Sequence, residues 1–457
     1  MSHYKPYPAY KDSGVEWLGR VPEHWVTMAL QRITTAKCDG PFGSAIKSEN
    51  YTDSGVRVIR LQNIGSGEFK DGDQAFLSAE YRAEAIGNSH DVKSGDLLIA
   101  GLGDENNPLG RTCVASETLG DAIVKADCYR FRVDQRNALP DFLAKQLSST
   151  ARVECGFIST GSTRERLNLG LAASRIIALP PSLQEQEQVV KFLSYETARI
   201  DALIEKKTRF IELLREKRQA LITHAVTKGL DPNVKMKDSG VEWLGEVPEH
   251  WLLKRFRDLC ISISTGPFGT ALGNEDYVTG GVPIINPSHI VDEQCCPDPD
   301  ITVSVETAER LSFWAMRSGD LVTARRGELG RAAVITDEQD GWICGTGSLR
   351  VRPDSSRVLI GYLHTLLQSR YAREWLNLAS VGATMANLNE GILGELPLAV
   401  PPSAAEQEKL LASLEMEIVR LSKIEQKASA SVALLKERRS ALITAAVTGQ
   451  IDLREPA

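Results

Sequence analysis

The sequence has no run of the roughly 18–20 apolar residues that a membrane-spanning helix requires. Its first ten residues, Met1 to Tyr10, are polar and proline-rich and lack the apolar core of a secretory signal. Eight cysteines are scattered along the chain, none in a Cys-x-x-Cys pair, and Cys295 and Cys296 are adjacent. This spacing excludes a zinc ribbon and a disulfide framework, and fits buried thiols in a reducing cytoplasm. Positive charge is not in surplus: 53 Lys and Arg stand against 60 Asp and Glu, a net charge of −7. A purely electrostatic sleeve around nucleic acid is thereby excluded; local basic faces are not.

Reaction centres are missing as well. No phosphate-binding loop is present, because Gly101-Leu-Gly103 has no Gly-Lys-Ser/Thr downstream. The seven histidines include no His-Glu-x-x-His, and no serine sits in a Gly-x-Ser-x-Gly elbow. Asn286-Pro-Ser288 lacks the second proline and the aromatic residue of the amino-methyltransferase motif it faintly matches. The expectation is a non-catalytic binding protein with no metal ligands. His24 and His250 are read as packing or turn residues.

What is present is a soluble globular composition, 42% hydrophobic and 25% charged over 457 residues, enough for two to four domains. The text is written twice. Lys11-Asp-Ser-Gly-Val-Glu-Trp-Leu-Gly19 recurs as Lys237 to Gly245, Val21-Pro-Glu-His-Trp25 as Val247 to Trp251, and Gly40-Pro-Phe-Gly43 as Gly266 to Gly269, all at an offset of 226 (237 − 11). Ser94-Gly-Asp-Leu97 recurs at Ser318, and Gly110-Arg111 at Gly330. Later matches settle at 221, as in Ala220-Leu-Ile-Thr223 against Ala441 to Thr444 (441 − 220). The copies agree at their ends and differ between Gly43 and Gly161, so one scaffold carries two sets of loops. The globular part of each copy reads as α+β. Strands are expected at Gly55–Leu61, Gly95–Ala100, Gly281–Ile285 and Gly319–Thr323, and helices at Asp141–Ser148 and Ile360–Gln368.

Each copy closes with a long helix. Ser182-Leu-Gln-Glu185 and Ser403-Ala-Ala-Glu406 are capping boxes behind Pro-Pro pairs, and Gly229 and Gly449 stop the helices. Between them apolar residues alternate three and four apart over about five heptads, the seam of a coiled coil. Its members are Leu193, Ile200, Ile204, Ile211, Leu214 and Leu221 in one helix, and Leu414, Ile418, Leu421, Val432, Leu435 and Leu442 in the other. Roughly 45 residues at 1.5 Å each make about 70 Å. Two matching seams in one chain bury each other most economically. Antiparallel pairing needs no long return connection, and it implies two globular copies related by a pseudo-twofold axis. Lys207, Arg218, Glu425 and Arg439 interrupt the seam, either to fix register or to snorkel at its edge. Leu203, Phe210 and Leu434 stand beside it, as partner contacts or as edge packing.

Two similar heads at a set separation suit a ligand that itself repeats, such as duplex DNA. Candidate DNA contacts are Lys47, Arg60, Gln62, Asn63, Thr163, Arg164, Arg166 and Asn168 in the first copy. In the second they are Asn286, Ser288, His289, Arg325, Arg326, Thr384, Asn387 and Asn389, with Arg325-Arg326 the strongest basic pair. Because the copies differ here, the site read should be two unlike half-sites around an unread gap.

At this point the residues resemble a known family. Gly-x-Thr-x-x-x-Leu-Asn (Gly161 to Asn168), Leu-Pro-Pro-Ser (Leu179 to Ser182), Gln-Glu-Gln and a helix ending Arg-x-Ala-Leu-Ile-Thr, together with the repeated Lys-Asp-Ser-Gly-Val-Glu-Trp-Leu-Gly and Val-Pro-Glu-His-Trp, are similar to the specificity subunit of type I restriction–modification enzymes. The second copy departs with Met385-Ala-Asn387 inside the motif and Val400-Pro-Pro-Ser403. The resemblance implies target-recognition domains at 1–181 and 231–402, a central spacer helix at 182–230, a C-terminal spacer helix at 403–450 and a tail at 451–457. It further implies double-stranded DNA, two modification (methyltransferase) subunits and motor-nuclease restriction subunits as partners. S-adenosylmethionine, magnesium and ATP would sit on those partners and not on this chain. The readings this leaves open are a stand-alone bipartite DNA-binding regulator and a coiled-coil scaffold for proteins.

Overall fold

The computed structural model describes residues 4–42, 45–158, 166–268, 271–380 and 387–454. It divides into two compact units, 1–207 with 430–457, and 208–429. The first unit therefore takes the end of the chain as well as its beginning.

In the first unit, β1 (Thr34–Cys38), β3 (Leu97–Ala100), β4 (Thr112–Val114) and β6 (Cys128–Val133) form an antiparallel sheet in the order β4-β3-β6-β1. A second sheet of five short strands centres on β2 (Val56–Ile59) and β5 (Ala122–Val124), which pair in parallel. Helix α1 (Pro140–Ile158) follows, and then α2 (Leu183–Lys228). The second unit repeats this plan. β7 (Cys260–Thr265), β9 (Leu321–Ala324), β10 (Ala332–Val334) and β12 (Ser348–Pro353) order as β7-β12-β9-β10, and β8 (Val282–Ile285) pairs in parallel with β11 (Ile343–Cys344). Helices α3 (Ile360–Gln368), α4 (Arg370–Ala379) and α5 (Ala404–Val447) complete it.

The expected strands are present but shorter, because the glycines ahead of them form turns: Gly55, Gly95 and Gly319 hold positive φ. Helix α1 runs ten residues beyond the expected Ser148, whereas in the second unit Ser369 caps a new helix at the matching stretch and accepts the Ala372 amide at 3.1 Å.

Each unit contains the beginning of one long helix beside the end of the other, so the helices run antiparallel within both. In the first, Leu193, Ile200 and Ile204 share a core with Leu435 and Leu442. In the second, Leu221 and Ile222 share one with Leu414 and Ile418, and Leu214 and Leu421 are buried. Of the charged seam residues, Arg439 reaches Asp201 at 2.8 Å and Glu425 accepts from Arg215 at 2.7 Å, each pair joining the two helices of its unit. Exposed pairs of this kind contribute little stability but penalise a shifted register. Arg218 departs from expectation: it leaves the seam for Glu293, at 3.0 Å.

The repeated segments turn out to be a clamp at the start of each long helix. The Glu185 amide donates to the Ser182 cap (3.4 Å, N to Oγ), yet its carboxylate does not return to the cap. It takes hydrogen bonds from Tyr7 Oη (2.8 Å) and Trp25 Nε1 (3.0 Å), with His24 Nε2 also at 3.0 Å. Glu406 likewise faces His250 Nε2 and Trp251 Nε1, both at 2.9 Å. The following glutamines, Gln186 and Gln407, are buried and accept the amides of Leu139 and Leu359, both at 2.8 Å. The capping-box spelling thus marks the helix start correctly, while tertiary contacts claim its carboxylate. Burial and the neighbouring Glu185 push the Tyr7 hydroxyl well above the usual phenol range.

Removing Glu185 strands two buried donors, whereas Glu406 is only half-buried. Glu185→Ala should destabilise the first unit by about 2–4 kcal/mol, and Glu406→Ala the second by about half as much. Urea unfolding followed by tryptophan fluorescence measures both; equal losses would remove the asymmetry.

Candidate nucleic-acid interface

In the first unit three loops converge, and the buried Arg111 of the repeated Gly-Arg dipeptide ties them. Arg111 donates through Nε to the Ile64 carbonyl (2.7 Å), and through its other nitrogens to Leu61 (2.8 Å) and Leu102 (3.0 Å). It thereby fixes the turn after β2, Leu61–Asn63, against loop 101–103. Burial holds its guanidinium below the usual arginine range. In the second unit Arg331 braces only the matching turn, Pro287–His289, donating to the Pro287 carbonyl at 2.5 Å, while its Nε has no partner among the described residues.

The entry segment of the next short helix joins this frame. The Leu167 amide donates to the Gly101 carbonyl (3.0 Å) and its carbonyl accepts from Tyr129 Oη (2.5 Å). A Cβ on Gly101 would lie 2.5 Å from that hydroxyl, so no larger residue fits. The Leu388 amide donates to the Arg325 carbonyl (2.9 Å) in the same manner. The Gly-Pro-Phe-Gly loop borders both frames. Gly40 and Gly266 press against the backbones of Lys125 and Gly345, where a Cβ would approach within 2.1 and 1.9 Å. Asp39 braces the first of these loops, accepting from the amides of Gly40 (2.6 Å) and Asp127 (2.9 Å); burial raises its carboxyl to about 6.

Against this frame the candidate residues divide. Asn63 and His289 face inward and are corrected from surface donors to braces of their turns. Asn63 accepts the Arg60 amide (2.9 Å) and donates to Lys70 and Asp73 carbonyls, and His289 contacts the Ile284 carbonyl at 2.8 Å. Asn168 and Asn389 cap short helices, their Oδ1 atoms accepting the amides of Leu171 and Ile392, both at 2.8 Å, on side chains that remain exposed. Gln62 and Ser288, one residue ahead of the two inward braces, are exposed at the turn tips, and Asn286 is half-exposed. Arg60 pairs with Asp73 and lies over the Tyr51 ring, 5.9 Å from its centre, as does Lys125 at 5.5 Å. Lys47 is exposed beside Glu49, and Arg166 is held by Asp127 at 2.8 Å. Arg325 is partly committed, donating to the Leu388 carbonyl (2.9 Å) and lying over the Phe268 ring, whereas Arg326 is exposed and makes no ion pair among the described residues. Asn387 presents a buried Oδ1 with no hydrogen-bond partner among the described residues. Thr163, Arg164 and Thr384 lie outside the described residues.

Sequence reasoning passed over Phe42 and Phe268, the tips of the Gly-Pro-Phe-Gly loops, which are 56% and 58% exposed. The signal was available: an aromatic residue in a Gly-Pro-Phe-Gly segment recurs at offset 226. Among the described residues no group of three or more His, Cys, Asp or Glu is placed to hold a metal, and no helix is long and apolar enough to cross a membrane.

Comparison with known proteins agrees with this arrangement. Residues 248–432 match the family model described as type I restriction modification DNA specificity domain. The chain is 21% identical to the type I restriction enzyme EcoBI specificity subunit of Escherichia coli, over 96% of this chain and 89% of that one. It is 22% identical to the StySPI specificity subunit of Salmonella potsdam, over 95% of this chain and 90% of that one. In fold it matches a chain from a structural study of complex assembly and conformational transition of the type I R-M system, with a TM-score of 0.70 at 17% identity, covering 93% of this chain and 98% of that one. Residues 248–432 thus carry a type I restriction modification DNA specificity domain, and over nearly its whole length the chain is similar to the specificity subunits of type I restriction enzymes.

Proposed function

We propose that each unit reads one half of a bipartite, gapped sequence in double-stranded DNA, and that the paired helices set the gap and dock two modification subunits. The observation that carries this reading is one frame carrying two different sets of outward side chains. Arg111 and Arg331 hold equivalent turns, but the exposed tips are Gln62 in one and Ser288 in the other. Likewise the loop that is Gly101-Leu102 in the first unit is Arg325-Arg326 in the second. Glutamine, serine and arginine are side chains that hydrogen-bond base edges or phosphates. An unlike pair of readers on a like scaffold calls for unlike half-sites.

Docking of partners has its own support. Beside the seam, Leu203, Phe210 and Leu434 are 42%, 45% and 65% exposed, so the alternative that they pack at the seam edge is not taken up. Apolar residues left exposed along a helix suit a protein partner. The partners proposed are methyltransferase subunits binding S-adenosylmethionine, joined by restriction subunits using ATP and magnesium. A stand-alone regulator or a protein scaffold would need none of them.

Co-expression with a candidate modification subunit, followed by genome-wide methylation mapping, should yield one gapped motif with two unlike halves; no gapped motif would favour the scaffold. Inserting four residues near Thr208, about 6 Å of helix, should change the gap and leave both halves readable. An unchanged gap would exclude the spacer role. Arg326→Ala should weaken DNA binding and lower the slope of log affinity against log salt by about one if it meets a phosphate; an unaltered slope would remove it from the interface.

A further inference from the structure

The two helix-start clamps are the same device, but only one of them is filled. In the first unit Tyr7, 3% exposed, sits on the clamp. Its ring meets Trp25 edge-on at 6.1 Å and His24 at 5.5 Å, its hydroxyl donates to Glu185 at 2.8 Å, and the Arg454 guanidinium lies over its outer face at 4.9 Å. Tyr4 stacks edge-on against Phe192 at 5.5 Å. The two ends of the chain are tied together over this site, the Asp452 amide donating to the Lys5 carbonyl at 2.8 Å.

In the second unit the matching positions follow from the repeat offsets: His250 and Trp251 stand for His24 and Trp25 (250 − 24 = 226), and Glu406, Leu410 and Ser413 stand for Glu185, Val189 and Phe192 (406 − 185 = 221). These five residues, with Lys409, line an open groove of about 580 Å³. The residue 226 positions after Tyr7 is Asn233, which is exposed and closes its own turn on Asp231 Oδ1 at 2.9 Å. The reason is connectivity. A single short linker, 230–235, runs where the first unit has two chain ends, and it carries no aromatic residue.

We propose that this groove is a docking site for a partner protein that presents a tyrosine in a Pro-Tyr segment, in the manner of Pro6-Tyr7. The tyrosine ring would lie on Trp251 and His250 and its hydroxyl would donate to Glu406, which has one hydrogen-bond partner fewer than Glu185. Ser413, where Phe192 stands in the first unit, leaves room for the segment preceding the tyrosine. The proposal draws on the repeat and the groove and is independent of the DNA reading.

The probe is a synthetic peptide of residues 4–10 (Tyr-Lys-Pro-Tyr-Pro-Ala-Tyr) with a benzophenone at its alanine, added to the full chain. Saturable binding is expected, with cross-links to 228–234 or 409–413. A peptide with phenylalanine for the tyrosine at position 7 should bind roughly tenfold more weakly, the loss of one hydrogen bond to a carboxylate. Glu406→Ala in the chain should weaken the parent peptide by a similar factor. Ser413→Trp, which fills the groove without touching the clamp, should abolish binding whatever Glu406→Ala does to folding. Absence of saturable binding, equal affinity of the phenylalanine peptide, or cross-links confined to the first unit would overturn the proposal. If sedimentation shows that the chain self-associates and Ser413→Trp prevents it, the occupant is a second copy and the partner assignment falls.

Discussion

A helix of 46 residues with an apolar seam cannot stand in water uncovered, and this chain covers it with a second helix made some 220 residues later. That constraint governs the rest. It brings residues 430–457 into the unit formed by residues 1–207, so that unit cannot be completed before those later residues are made. It also places the beginning of one helix beside the end of the other in both units. Each unit then fastens its borrowed helix to its own globular part. Gln146 donates to the Val447 carbonyl at 2.5 Å and to Ala178 at 2.7 Å, while in the second unit Tyr362 reaches Val226 (3.2 Å) and Ala399 (2.6 Å). The carbonyls correspond between the units, but the side chains that close them do not.

This separation of frame from filling recurs. Asp96 and Asp320, from the repeated Ser-Gly-Asp-Leu, are both buried, and each receives two hydrogen bonds from an arginine on the neighbouring strand, Arg132 and Arg352, at 2.7–2.8 Å. Elsewhere the copies diverge even inside the core. Arg175 and Glu154 form a fully buried pair at 2.7 Å, with further bonds from Arg175 to Gly110 and Leu147 carbonyls. The positions 221 residues later are Leu396 and Trp375, which pack in an apolar cluster. A buried ion pair with every donor satisfied and an apolar contact of similar volume are close in free energy, so either fills the same space.

The side chains proposed to read DNA stand on turns that are held from behind. Arg111 spends its guanidinium on the Leu61, Ile64 and Leu102 carbonyls, and Arg331 holds the Pro287 carbonyl, so each turn is held by its backbone and not by the side chain at its tip. On the proposed function, this would let one architecture carry two different sets of reading side chains.

Much of this was legible in the sequence, because it follows from local rules. The repeat, the helix starts and stops, the seam spacing and the α3 boundaries are one-dimensional patterns, and the heptad alone named residues that are buried or half-buried in the structure. Donor chemistry also singled out the stretches Arg60 to Asn63 and Asn286 to His289, which the structure folds as equivalent turns. What residue type cannot specify is direction. Asn63 and Gln62 are adjacent and chemically alike, yet the first closes a turn and the second faces water, a choice made by the 3₁₀ geometry that only backbone coordinates reveal. Nor could spacing show that a capping glutamate would be claimed by Trp25 across 160 residues, or that Tyr7 would occupy a groove left open in the other copy. Those outcomes depend on which distant backbone reaches a polar atom first, and only the folded chain decides that.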